Sequence, residues 1–275
     1  MSFSRPPAVA GMFYSQVPAV LTRDVDDLLS RAQKKKTPGT ILGLIVPHAG
    51  YVYSGFTAAH AYRMLEGKHF DAVIVIGPSH REYFDGISVF PGDSYRTPLG
   101  EVPVHSVIRD ELVALGKGVI VTNAGHRTEH SVEVQLPFLQ RTLKRFDIVP
   151  LVMGDQRREL CENLAECLAV VSRNRNILFV ASSDLSHYHP YDAAVGLDHL
   201  VIADVESFNP DHLMDTLEHE EVEACGGGPI VSIMLAARKL GCDKSEILHY
   251  SNSGDVTGEK EAVVGYMAAA LMKVP

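Results

Sequence analysis

Ile41-Leu42-Gly43-Leu44-Ile45-Val46, followed at once by Pro47-His48-Ala49-Gly50-Tyr51, is the stretch on which the fold turns. Six residues in a row without a polar side chain suit a strand covered on both faces, as in a parallel sheet. The same design recurs in the short, Val/Ile-rich runs at 72–76, 119–122, 148–152 and 177–181. Amphipathic stretches lie between these runs. Ala58, Ala61, Tyr62 and Leu65 fall at helical spacing, and Ile108, Leu112 and Leu115 make a second stripe. Leu160, Leu164, Leu168 and Val171 make a third, and Ile230, Ile233, Met234 and Ala237 a fourth. Each has the period of a helix with one apolar face. The alternation predicts an α/β sandwich with a central, mostly parallel mixed sheet flanked by helices.

No linker, charge block or repeat divides residues 1–275, so the chain reads as one domain, long enough to bury a core without disulfide or metal staples. Pro137, inside the apolar stretch 132–143, requires that helix to start near Leu136 or to kink there. The segment 83–104, rich in glycine and proline, reads as strands or loops beside the main sheet. The charge balance is 25 Lys and Arg against 34 Asp and Glu, a net −9, which argues against a nucleic-acid partner. The basic run Lys34-Lys35-Lys36 reads as a helix end. Nothing approaches the ~18 apolar residues of a membrane span, and residues 1–14 lack the pattern of a secretory signal. Four scattered cysteines with no Cys-x-x-Cys pair fit a reduced, cytoplasmic protein.

In open α/β sheets ligands bind outside the carboxyl ends of the strands. Here the run 41–46 opens into His48, and 72–76 into Gly77-Pro78-Ser79-His80. The run 148–152 opens into Gly154-Asp155-Gln156, and 177–181 into Ser182-Ser183-Asp184-Leu185-Ser186-His187. Three of the four exits carry a histidine, which predicts a site there. His48 and His80 are the candidate metal ligands; otherwise such a histidine bonds a loop carbonyl. Cys225 opens Cys225-Gly226-Gly227-Gly228-Pro229 before an apolar helix at 230–240. The helix dipole there would favour a thiolate able to ligate a metal; otherwise Cys225 fills a tight turn. Cys161 and Cys167 read as packing residues, and Cys242 has no partner signal.

Asp184 and His187 share one loop, where a carboxylate orients an imidazole or holds it protonated, as a general acid/base requires. Alternatively Asp184 caps the turn before a helix at 191–208. His126, Glu129, His130 and Glu133 form a further polar cluster, with His130 and Glu133 one helical turn apart. His130 reads as a proton-transfer group or substrate contact, or the cluster as a solvated helix start with Ser131 as its cap. His189 is expected to be exposed. The remaining histidines, His60, His69, His105, His199, His212, His219 and His249, are assigned to surfaces or connections without a role.

Taken in order, Pro47-His48-Ala49-Gly50-Tyr51, Gly77-Pro78-Ser79-His80, Glu129-His130-Ser131-Val132-Glu133, Ser182-Ser183-Asp184-Leu185-Ser186-His187 and Cys225-Gly226 resemble the Memo family. The resemblance runs from Arg5-Pro6-Pro7 to Gly265-Tyr266, nearly the whole chain. It implies a fold similar to the class III extradiol (LigB-type) dioxygenases, which hold non-haem iron with two histidines and a glutamate. Memo proteins have a cysteine at the third place, and the matching residues are His48, His80 and Cys225. Asp184, His187 and His130 match the other pocket positions. The resemblance also implies candidate radical-SAM and AMMECR-type protein partners. A soft thiolate in place of a hard carboxylate tilts the site toward Cu(I) or Zn and would change an iron centre's potential, so dioxygenase activity does not carry over on fold alone.

The expectation that follows is a metal-dependent redox enzyme, with iron or copper rather than zinc. His187, set by Asp184, would transfer protons, and His130 would contact an unidentified small-molecule or peptide substrate. The alternatives are a metal-sequestering or peptide-binding module using the same pocket, and a zinc-type hydrolase with His187 as base. Oxidation of the cysteine would leave purified protein without metal.

Overall fold

The computed structural model describes residues 3–35 and 39–274. Its centre is four parallel strands, β2 (Thr40–Val46), β9 (Ile177–Ser182), β3 (Ala72–Pro78) and β8 (Ile148–Met153), hydrogen-bonded in that order. Alternate side chains leave on opposite faces of a strand, and here both faces are apolar. Val73, Val75, Leu178 and Val180 join one core cluster, and Ile74, Ile76, Phe179 and Ala181 join the other. The first is covered by α1 (Pro18–Arg31), α2 (Tyr51–Tyr62) and α4 (Leu136–Thr142). The second is covered by α3 (Ser106–Ala114), α5 (Arg158–Val171), α6 (Tyr191–Glu206), α7 (Pro210–Glu218) and α8 (Gly227–Lys239). This is the expected α/β sandwich, held by apolar side chains that contribute about 1.5–3 kcal/mol each when fully buried.

The flanks are antiparallel. On one side β12 (Val263–Lys273) pairs with β2, with β10 (His187–His189) and with β11 (Lys244–Asn252), and α9 (Ser253–Thr257) connects β11 to β12. On the other side β4 (Ile87–Val89) runs antiparallel to β8 and carries β7 (Val119–Val121) as the edge. The segment 83–104 is thus divided. Its start enters the main sheet as β4. β5 (Ser94–Thr97) and β6 (Gly100–Pro103) form a separate three-stranded sheet with β1 (Ser4–Arg5).

Three local expectations need correction. The run at 119–122 is not covered on both faces, because Ile120 and Val121 lie exposed on an edge strand. Leu115 follows α3 and is exposed, so that helix buries Ile108 and Leu112 only. Lys34 and Lys35 lie beyond the end of α1, and pair with Glu66 at 2.8 Å and Glu246 at 3.2 Å; Lys36 lies outside the described residues. At Pro137 the first alternative holds. A short 3-10 turn, Glu133–Gln135, precedes α4, and the proline sits in its first turn, where no backbone N–H is needed.

Candidate metal centre

Because β2, β9 and β3 are neighbours, their carboxyl ends deliver His48, Ser182-Ser183-Asp184 and His80 to one side of the sheet. Cys225 arrives from elsewhere. It precedes α8, and its N–H donates to the Asp184 carbonyl at 3.2 Å. That approach depends on Gly226, where a Cβ would lie 2.3 Å from the Ser182 carbonyl oxygen. From the fourth exit Gln156 secures the turn, donating to the Cys225 carbonyl at 2.9 Å and accepting from the Gly228 N–H at 2.8 Å. The outcome is a cluster in which one ligand atom each from His48, His80 and Cys225 lies within 4.8 Å of the others. His48 Nε2 is 3.1 Å from Cys225 Sγ.

Hydrogen-bond bookkeeping fixes the His48 ring. Ser182 Oγ donates its one proton to the Ser131 carbonyl at 2.6 Å and accepts from Gln135 Nε2 at 2.8 Å. Its contact with His48 Nδ1, at 2.9 Å, must therefore be donated by the imidazole. Nε2 is left with its lone pair toward the sulfur. Gln135 is in turn held by the Tyr62 hydroxyl and by the Pro47 carbonyl. Burial, reinforced by the neighbouring His130 and His80, lowers the His48 pKa well below its usual value, so the ring is neutral.

Glu129 does the same for two rings. Its Oε1 is 3.0 Å from His80 Nδ1 and 3.1 Å from His130 Nδ1, and it also accepts the His130 and Ser131 N–H groups. Oε2 accepts the His80 N–H at 2.6 Å. Burial pushes this carboxyl's pKa up. The bonds from His130 and His80 outweigh that and hold it far below the carboxylate range. A carboxylate on Nδ1–H is the arrangement that orients a metal-binding histidine and leaves Nε2 free. Ser131 reaches this place because residue 77 is glycine; a Cβ there would lie 2.3 Å from Ser131 Oγ, which donates to the Pro78 carbonyl.

The rings open onto a cavity of about 530 Å³. His130 stacks on His80 with centroids 4.7 Å apart, and Phe13 packs against His130 at the same distance. His187 and Asp184 also line the cavity, and Met12, Tyr53, Arg81, Tyr188 and Tyr266 are among its other lining residues. All six residues singled out from the sequence therefore gather at one place: His48, His80 and Cys225 as a group that could hold a metal, His130, Asp184 and His187 around it.

Two of the expected arrangements are different. Asp184 is not bonded to His187. Its Oδ1 accepts the His48 N–H at 2.7 Å and its Oδ2 is 4.0 Å from His48 Nε2. The backbone turn between β9 and β10 aims the carboxylate back at the β2 exit. Burial raises its pKa, against the pull of the His48 N–H and of His187. The second correction concerns Cys225. Burial and the charge of Asp184 push its thiol up, against hydrogen bonds from the Asp184 and Gly226 backbone and from Ser183, and its Sγ lies 3.1 Å from His48 Nε2.

The polar cluster at 126–133 is buried, not solvated. Glu133 turns away from His130 and accepts from Arg5 Nη1 at 2.6 Å, Tyr14 Oη at 2.5 Å and the N–H groups of Ala8 and Val9. Arg5 also donates to the carbonyls of His126 and Glu129, so the N-terminal arm braces the loop that carries Glu129. His189 is half-buried and pairs with Glu223 at 2.8 Å. His60 is buried and stacks on His249, with centroids 4.3 Å apart.

Residues 5–270 match the family model described as Memo-like protein. A MEMO1 family protein of Sulfolobus acidocaldarius is 39% identical, over 96% of this chain and 98% of its own length. One of Methanosarcina barkeri is also 39% identical, with the same coverage, and one of Methanocaldococcus jannaschii is 38% identical over 98% and 99%. The fold is similar to the crystal structure of an uncharacterized protein from Escherichia coli K12, with a TM-score of 0.59. That match covers 84% of this chain and 99% of the other at 16% identity, a likeness of fold alone.

Proposed function

Since the chain belongs to the Memo family, we propose that it is a metal-dependent redox enzyme whose ion is held by His48, His80 and Cys225. The observation that carries this reading is the convergence of two imidazole nitrogens and one sulfur within 4.8 Å, with each imidazole tied back through Nδ1. Ligand bonds of about 2.0–2.3 Å place ligand atoms roughly 3–4 Å apart, so the donor set fits an ion after small rotations. Two imidazole nitrogens and a soft sulfur suit copper, zinc or iron; iron or copper is proposed because the redox reading needs an ion that changes oxidation state. When bound, such an ion would supply electron transfer to a substrate entering the open side of the cavity.

The remaining groups handle protons and substrate. His130 keeps Nδ1–H on Glu129, so its Nε2 is the atom available to a substrate proton. His187 lines the same cavity and donates its backbone N–H to Glu223. Its ring serves as the second proton carrier. Asp184, beside His48, balances positive charge at the centre. The bare thiol needs a reducing compartment, which supports a cytoplasmic setting. Radical-SAM and AMMECR-type proteins are the partners proposed from the family resemblance.

Element analysis of untagged protein prepared without air tests the ligand set. About one iron or copper per chain is expected, lost in both His48→Ala and Cys225→Ser. Wild-type metal content in both variants would overturn it. Oxygen uptake by the loaded protein with catechols or thiols tests the redox reading. No turnover with either favours a sequestering or peptide-binding role, and zinc-dependent hydrolysis indifferent to oxygen favours a hydrolase.

A further inference from the structure

A second cavity of about 510 Å³ lies on the other side of Tyr53, which lines both. That volume is in the range of small-molecule sites. One wall of it is aromatic. Phe56 and His249 line it, and the buried His60 backs it, stacked on His249 at an interplanar angle of 13°. Phe56 meets both imidazoles edge-on, at 4.8 and 5.3 Å. His60 Nδ1 donates to the Phe56 carbonyl at 2.9 Å, and Thr57 Oγ1 lies 2.9 Å from His249 Nδ1. Burial keeps both rings neutral, His249 with its pKa lowered to about 4. At the rim, Val52 and Val256 are 71% and 49% exposed, an apolar surface left open to a ligand.

Two charged groups line this cavity, and their states differ. Asp255 is engaged: one carboxylate oxygen accepts the Asn252 N–H at 2.9 Å, the other the Tyr191 hydroxyl at 2.8 Å. The Arg31 guanidinium lies 4.9 Å over the Phe56 ring, and among the described residues no carboxylate is within 4.0 Å of it. A planar cation without a carboxylate partner, beside an aromatic wall, matches a single negative charge on a flat ring, since the guanidinium fork fits a carboxylate. Asp255 at the same rim disfavours a dianion. We propose that this cavity binds a small planar aromatic carboxylate, its ring against the aromatic wall of Tyr53, Phe56 and His249 and its carboxylate on Arg31. The site is separate from the metal centre and does not depend on the redox reading.

The test uses metal-free full-length protein and 4-hydroxybenzoate, followed by ligand-observed NMR and calorimetry. Saturable binding is expected, at least tenfold tighter than for benzamide, which lacks the charge, or cyclohexanecarboxylate, which lacks the aromatic ring. R31Q, an exposed substitution that the fold tolerates, should weaken binding at least tenfold. F56L should weaken it too, while H80A in the first cavity leaves it unchanged. No saturable binding up to ~10 mM, a concentration at which a ten-atom ligand of ordinary efficiency is detectable, would overturn the proposal. So would binding that survives R31Q but is lost in H80A, since the ligand would then occupy the metal cavity.

Discussion

Glu129 is the residue that lies against two imidazoles at once, and its charge can be separated from its shape. Glu129→Gln keeps the shape but replaces a carboxylate that accepts from His80 Nδ1–H and lies 3.1 Å from His130 Nδ1 with a neutral, weaker amide oxygen. Loss of such an outer partner typically lowers metal affinity about 10–100-fold. Competition against a chelator should show that drop with the circular dichroism of the folded protein retained. A change of less than threefold would mean that the rings are positioned by packing alone. The histidine exits were legible from sequence because each stands directly after an apolar run. The direction of Asp184 was not, since a carboxylate three residues from His187 gives no sign that a neighbouring strand's N–H groups will capture it. The partnership of Arg5 with Glu133, 128 positions apart, likewise leaves no local pattern.

At the level of elements, the junction between β9 and α8 decides whether the sulfur reaches the rings. Gly226→Ala sets a Cβ against the Ser182 carbonyl, a backbone atom that cannot swing aside. Overpacking of this kind costs about 1–3 kcal/mol. Urea denaturation should show that loss, and bound metal should fall with it as Cys225 is pushed back. Unchanged stability and metal content would mean that the turn has slack. The glycines and the proline announced the start of a helix, and the sheet's parallel centre followed from unbroken apolar runs. The antiparallel flanks were harder to read. β4 and β7 are three residues each, too short for a period, and β11 is half-buried along most of its length.

For the whole molecule, acid is the sensitive direction. His126 is fully buried, accepts from the Tyr95 hydroxyl at Nδ1 and donates Nε2–H to the Ser88 carbonyl. Burial lowers its pKa to about 3. Between there and its unfolded value of about 6.5, the unfolded chain binds more protons, so stability falls as pH falls. The slope is about 1.4 kcal/mol per pH unit for such a group, with a smaller share from the half-buried His249. Denaturant midpoints measured at pH 7, 5.5 and 4.5 should decline in that order, and His126→Gln should flatten the decline. A flat wild-type profile would refute the assignment.

The strand order has a consequence for biosynthesis. β9 is wedged between β2 and β3, although nearly a hundred residues separate it from β3 in the chain. While the nascent polypeptide is still emerging from the ribosome, His48 and His80 belong to strands that lack their shared neighbour, and the sulfur emerges later still. A metal held by the proposed set of His48, His80 and Cys225 would therefore be acquired late, only once translation has passed Cys225.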